Sequence, residues 1–376
     1  MQYTANTLEK HWMPFTGNRD FKADPRLVVR GQGVHYWDHK GGKILDGSSG
    51  LFCSAAGHCR PEIADAVHKQ IKEMDFVAPF QSGHPASFEL ADKISKLTPD
   101  GLDHVFFTNS GSEAVDTALK IAMAYHRARG EGQRTRFVSR ERAYHGVNIG
   151  GTSLSGMVKN RETFSGFMPN VVHMRHTWLE ESRFTKGQPE TGAYLADALD
   201  RFAQTYGGSA VAACFVEPIA GSTGVLVPPK GYLERLREIC DTHGIVLVFD
   251  EVICGFRMSR GGAQGRFGIM PDLTTMAKIV AGGLPGGAVA GKPGMVGVRC
   301  GRRARRLPDR GVLFGGCRLG AVLRRRDGQR PRAGHNGRRS VPRRAGGGKP
   351  RTDPAAVGRH VRQSRTAPGS AFSVHG

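Results

Sequence analysis

The sequence predicts an α/β domain built on a parallel sheet with helices on both faces, and three observations lead there. The first is a set of short runs that are apolar on both faces: 104–108 (HVFFT), 136–140 (RFVSR), 210–218 (AVAACFVEP) and 244–251 (GIVLVFDE). Such runs fit strands buried on both sides, as parallel sheets require. The second is the helical periodicity between them. Residues 112–129 place Val115, Leu119, Ala122 and His126 on one stripe, and 231–244 does the same with Leu233, Leu236 and Cys240 before a Gly stop. The third is length, since 376 residues can bury a sizeable core.

The first fifty residues read differently. The segment 33–50 (GVHYWDHKGGKILDGSSG) alternates strand-like runs around a Gly-Gly turn, which predicts a hairpin and a β-rich lead-in over 1–50. Residues 51–290 then form the large α/β domain, in which ligands are expected beyond the carboxyl ends of the strands. From about residue 291 the composition changes. The formal net charge of +21 comes mostly from residues 291–376, which hold 22 of the 54 Lys and Arg but only Asp309, Asp327 and Asp353 among the acids. Residues 1–290 are therefore nearly neutral, so the overall charge does not mark that domain as a nucleic-acid binder.

Seven cysteines without a C-x-x-C pair argue against a disulfide framework or a zinc site, and no metal is expected. Cys53 and Cys254 read as small buried hydrophobes. There is no run of about 18 apolar residues, and the start MQYTANTLEKHWMPF lacks the basic-then-apolar order of a secretory signal. A cytoplasmic location is expected.

Several strand ends could carry chemistry. In FFTNSGSEAVDTALK, Asn109, Ser110, Gly111 and Ser112 join a strand to a helix, offering backbone amides and hydroxyls to a phosphate. The same residues would also serve a plain N-capped helix with Ser112 as the cap. Tyr144 and His145 follow the strand at 136–140, where an aromatic can stack on a planar ring or pack in the core. Asp250 and Glu251 close an apolar strand, so at least one carboxylate at a low-dielectric rim needs a cationic partner. A pyridinium N–H would serve, and so would an arginine such as Arg257. Glu217 offers a second carboxylate on the rim. Lys278 sits between an apolar turn and a glycine-rich loop, GGLPGGAVAG. There a desolvated amine could form a Schiff base with an aldehyde.

In combination and in order, NSGSEAVDTALK, AYHG, VEPIAGSTG, LVFDEVICGFRMSRGG and AKIVAGGLPGGA resemble the class-III aminotransferases, which are fold-type I enzymes using pyridoxal phosphate. The resemblance covers roughly residues 8–290. HWMPF and GHPASFELADKI look most like the ω-amino acid (β-alanine):pyruvate aminotransferases. A diaminopelargonate-forming enzyme is the alternative within the class.

The resemblance implies Lys278 as the Schiff-base lysine and proton carrier, and Asp250 as the partner of the pyridine nitrogen. It implies Tyr144 on the ring and Val252 on the opposite face. Ser110, Gly111 and Ser112 would lie at the phosphate, with His145 beside the cofactor and Glu217 near the ring oxygen. Phe15 and Phe52 would fall in an aromatic substrate pocket, although Phe52 stands where the nearest relatives often have Trp. The substrates would be an amino donor and a keto acid, and the assembly a homodimer or dimer of dimers if the C-terminal part is intact.

Members of the family continue past the lysine with a threonine for a neighbouring subunit's phosphate, a small α/β domain and a carboxylate-binding arginine. Residues 291–376 match none of these, and with no Glu, no Ile and only Phe314 and Phe372 as aromatics they are expected to be disordered. Two readings stay open: a basic nucleic-acid-binding arm on an inactive scaffold, or out-of-frame translation of a G+C-rich gene. The break interrupts a motif-rich domain instead of following a finished one, which favours the second. On that reading the small domain is missing and the chain as written is expected not to turn over.

Overall fold

The computed structural model describes residues 5–164 and 166–296. The expectations for the basic tail from residue 297 onward lie outside the described residues.

The lead-in is a three-stranded antiparallel sheet, β1 (Val28–Gln32), β2 (His35–Asp38) and β3 (Lys43–Leu45). The expected hairpin is its β2–β3 half. Asp38 closes the turn by accepting the N–H groups of Lys40 and Gly42 on one carboxylate oxygen, at 2.9 and 2.7 Å, while Gly41 takes φ +87°. β1 leaves no signal in the sequence, because its mostly exposed, mixed residues give no alternation.

The main sheet contains β4 (His104–Thr108), β5 (Arg136–Arg140), β6 (Val171–Met174), β7 (Val211–Val216), β8 (Val246–Asp250), β9 (Leu273–Ala277) and β10 (Gly287–Gly291). Their spatial order is β4-β10-β9-β8-β7-β5-β6. The strands from β6 to β9 pair in parallel, whereas β10 runs antiparallel to both β9 and β4. The sheet is therefore mostly parallel, with one reversed strand inside it.

The glycine-rich loop expected after Lys278 thus contains a strand. Smallness is what admits it: a Cβ on Gly287 would lie 2.7 Å from both the Ser110 carbonyl and the Thr108 hydroxyl. Glycine in a strand marks such a close backbone approach.

Alternate residues of the central strands feed two cores. Val138, Cys214, Val216, Leu247 and Phe249 pack with Leu233, Leu236 and Cys240 of helix Tyr232–His243 on one face. Phe137, Phe215, Val246 and Val248 pack with Val115, Leu119 and Ala122 of helix Gly111–Ala128 on the other. Both predicted stripes are buried, and Gly244 ends its helix in the left-handed conformation. Among the described residues no helix is long and apolar enough to cross a membrane.

Candidate functional site

Because β4, β5, β7, β8 and β9 point the same way, their carboxyl ends share one rim of the sheet, the edge where α/β folds place ligands. A cavity of about 240 Å³ opens there. Ser110, Gly111, Ser112, Tyr144, His145, Glu217, Asp250, Val252 and Lys278 all line it. They arrive from five places in the chain. Asn109–Ser112 follow β4, Tyr144–Gly146 follow β5, Glu217 follows β7, Asp250 ends β8 and Lys278 follows β9.

Helix Gly111–Ala128 presents its N-terminus to the cavity. Its cap is Ser110, whose hydroxyl accepts the Glu113 N–H at 3.2 Å, and the Glu113 carboxylate accepts the Asn109 N–H at 2.8 Å. This corrects the assignment of the cap to Ser112. The Ser112 hydroxyl instead accepts the Val147 N–H at 3.0 Å, tying the Tyr144–Val147 loop to the helix. Glycine is required at 146, and space is tight at 111. A Cβ on Gly146, at φ +101°, would lie 2.5 Å from the Ser112 hydroxyl, and one on Gly111 would press on Val252 at 3.0 Å.

Asp250 is 5 % exposed. Its Oδ2 lies 2.7 Å from His145 Nδ1, and its Oδ1 accepts the Val252 N–H at 3.0 Å and the Thr275 hydroxyl at 3.2 Å. His145, not Arg257, is therefore the side chain that faces the Asp250 carboxylate. Arg257 donates to the carbonyls of Ile253 and Phe52 instead. Thr275 went unnoticed in the sequence. Its signal was a polar residue inside a buried strand, paired in register with Asp250.

Glu217 accepts the N–H groups of Tyr144 at 2.9 Å and Gly221 at 3.0 Å, and burial raises its pKa. Behind it Arg140, 2 % exposed, donates to the Glu217 carbonyl at 2.7 Å. The neighbour of Asp250, Glu251, turns away from the cavity and accepts the N–H groups of Ala263 and Gln264 at 3.0 and 2.6 Å. Burial pushes its carboxyl up to about 7. Burial, and then the Asp250 carboxylate, raise the Tyr144 phenol.

Lys278 is half-buried, less dry than its apolar neighbours suggested, and it holds φ +53°. A lysine in that region is strained, and strain of this kind collects at functional positions. Two expected residues are not among those lining the cavity. Phe15 is 83 % exposed, and Phe52 is outside the lining although its neighbour Cys53 is within it. Cys53 is accordingly not a buried core residue, whereas Cys254 is. Leu284, Pro285 and Gly286 complete the wall beyond Lys278.

A mostly parallel sheet with a capped helix N-terminus, a buried carboxylate and a lysine on neighbouring strand ends defines a fold-type I transferase. Residues 17–302 match the family described as aminotransferase class-III, so the chain belongs to the class-III aminotransferases.

The chain is similar to the omega-aminotransferase of Caulobacter vibrioides, 53 % identical over 291 residues, which are 77 % of this chain and 66 % of that protein. It is 49 % identical over 285 residues to the beta-alanine–pyruvate aminotransferase of Pseudomonas aeruginosa, 75 % of this chain and 63 % of that one. Among solved structures, the omega transaminase from Pseudomonas jessenii in complex with PMP superposes with a TM-score of 0.72 at 30 % identity, covering 77 % of this chain and 65 % of that one. The chain thus spans just under two thirds of the length of these relatives.

Class-III aminotransferases depend on pyridoxal phosphate. The residues present fit that group. The small residues Gly111 and Gly146 keep the backbone beside the helix N-terminus open to a phosphate, and a buried, hydrogen-bonded carboxylate suits a protonated ring nitrogen.

Proposed function

We propose that the chain is the cofactor-binding part of an aminotransferase that moves an amino group from β-alanine or another ω-amino acid or amine to pyruvate. One observation carries the reading: Asp250 and Lys278, on neighbouring strand ends, share a cavity with the N-terminus of helix Gly111–Ala128. The names of the similar proteins support the donor class and the acceptor.

When bound, pyridoxal phosphate supplies an electron sink for the charge left as a proton departs from the substrate carbon. The chain's residues do the rest. Ser110, Gly111 and Ser112 would hold the phosphate with amides and hydroxyls. Asp250, oriented by His145, Val252 and Thr275, would keep a proton on the ring nitrogen. Tyr144 and Val252, which both line the cavity, would flank the ring, and Glu217 fixes the Tyr144 backbone. The Lys278 amine would hold the cofactor and would carry a proton to and from the substrate carbon.

The same reading takes residues 51–290 as the cofactor domain, preceded by an N-terminal segment, and a second copy of the chain as partner. Exposed Phe76, Phe80 and Phe88 offer apolar surface for that copy. Free cysteines fit a reducing, cytoplasmic setting.

Borohydride reduction with peptide mapping tests the cofactor: a pyridoxyl label is expected on Lys278, and a label elsewhere refutes the assignment. Alanine formation from β-alanine and pyruvate by the mass-verified 376-residue chain tests the activity.

A further inference from the structure

Ser49, Gly50, Leu51 and Phe52 hold φ at +52°, +59°, +57° and +70°. Left-handed backbone is unfavourable for every residue except glycine, so a run of this kind persists only where its surroundings over-determine it. Two anchors do so here. At the start, Asp46 Oδ1 accepts the Ser48 N–H at 2.9 Å and the Ser48 hydroxyl at 2.8 Å, while Oδ2 accepts the Gly50 N–H at 2.6 Å and lies 2.7 Å from His58 Nε2. At the end, the anchor comes from 205 positions away. Arg257 Nη2 donates to the Phe52 carbonyl at 2.8 Å while its Nε donates to the Ile253 carbonyl at 3.0 Å. The guanidinium carbon stands 5.3 Å from the centre of the Phe52 ring.

The two tied points border the cavity. Ile253 lines it, and so does Cys53, the residue after Phe52. Arg257 forms no ion pair among the described residues, so both contacts serve backbone geometry. A planar fork with donors at fixed spacing can hold two carbonyls at once, which the single ammonium of a lysine does poorly.

We infer that Arg257 is a positioning residue for the amino-donor side of the cavity: by tying the Phe52 carbonyl to that of Ile253, it fixes the gap between the walls carrying Cys53 and Ile253. That gap limits the amine chains admitted. The donor's identity rests on the aminotransfer reading; the tie itself does not.

Cys53 provides the readout. In a Cys59→Ser background of the full chain, with and without pyridoxal phosphate, N-ethylmaleimide labelling of Cys53 is followed by peptide mass. Arg257→Ala is expected to speed labelling by at least about tenfold, the ratio set by losing a hydrogen bond from a charged donor. Methylguanidinium should restore the slow rate, and Arg257→Lys should speed labelling less. Pyridoxal phosphate affinity should stay within about twofold of the parent, since the tie touches no phosphate or ring contact. Unchanged labelling in Arg257→Ala overturns the inference, as does labelling that rises only in step with urea unfolding. If Arg257→Ala does not fold, unchanged labelling in Arg257→Lys has the same force. Failure of the parent to take up pyridoxal phosphate on Lys278 would count against the aminotransfer reading alone, because the labelling comparison does not need the cofactor.

Discussion

The cavity has two unlike walls. One is made of strand ends: Glu217, Asp250 and the residues beside them continue strands that are buried throughout, and each carboxylate accepts backbone N–H groups. The other is made of connections, the left-handed run ending at Phe52 and Cys53 and the turn Leu284–Gly286. The first wall is rigid because a sheet core stands behind it. The second depends on a few side-chain ties to carbonyls and carboxylates from distant parts of the chain. Chemistry common to a class suits the first, and donor choice suits the second, where a change of one tie moves a wall without disturbing the sheet.

The largest expected effect is on the rigid wall. Lys278→Ala should abolish the reductive label and, if the chain is active, lower transamination by roughly 10²- to 10⁴-fold, the range for a positioned acid–base group; residual turnover near the parent rate would move the chemistry elsewhere. Next comes the core behind that wall. Leu236→Ala, at a fully buried position, should cost about 2–5 kcal/mol in urea unfolding, and a loss under 1 kcal/mol would mean that the wall is not backed as described.

Glu251 gives a pH test of the same wall. Its carboxyl is raised from 4.5 to about 7 by burial, so the folded state holds its proton more tightly than the unfolded state. Stability from this group is therefore greatest below about 4.5 and falls as pH rises through 7, by at most about 3 kcal/mol. Glu251→Gln should flatten that fall between pH 5 and 8, and an unaltered slope would show that the group does not titrate there. Ser110→Ala removes the helix cap, and thermal melting should register about 1 kcal/mol. The smallest effect tests the boundary of the site. Phe15→Ala, outside the lining, should leave stability within about 0.5 kcal/mol and cofactor affinity unaltered; a clear loss of affinity would return Phe15 to the site.

The rigid wall was largely readable in the sequence, because strands buried on both faces and a carboxylate closing one of them leave local patterns. The strands at 104–108 and 136–140 appear with the predicted bounds, and the helical stripes are buried. The gathering of Ser110, Tyr144, Glu217, Asp250 and Lys278 follows from parallel strand direction alone. The other wall left no such trace. Nothing near Phe52 announces an arginine 205 positions on, and β10, composed of Gly, Ala and Val, carries the composition of a loop. The Ser-Gly-Ser stretch was ambiguous because either hydroxyl could cap the helix, and only the placement of Glu113 decided for Ser110.

The reversed strand β10 also dictates an order of events during synthesis. Among the described residues β4 pairs with β10 alone, and Phe107 meets Ala288 only after about 180 further residues have left the ribosome, roughly 10–40 s at ordinary elongation rates. For that interval β4 is an open edge carrying Phe106 and Phe107, the kind of surface on which chains aggregate or chaperones act. β4, the strand that leads into helix Gly111–Ala128, is thus the last of the described strands before β10 to gain its partner.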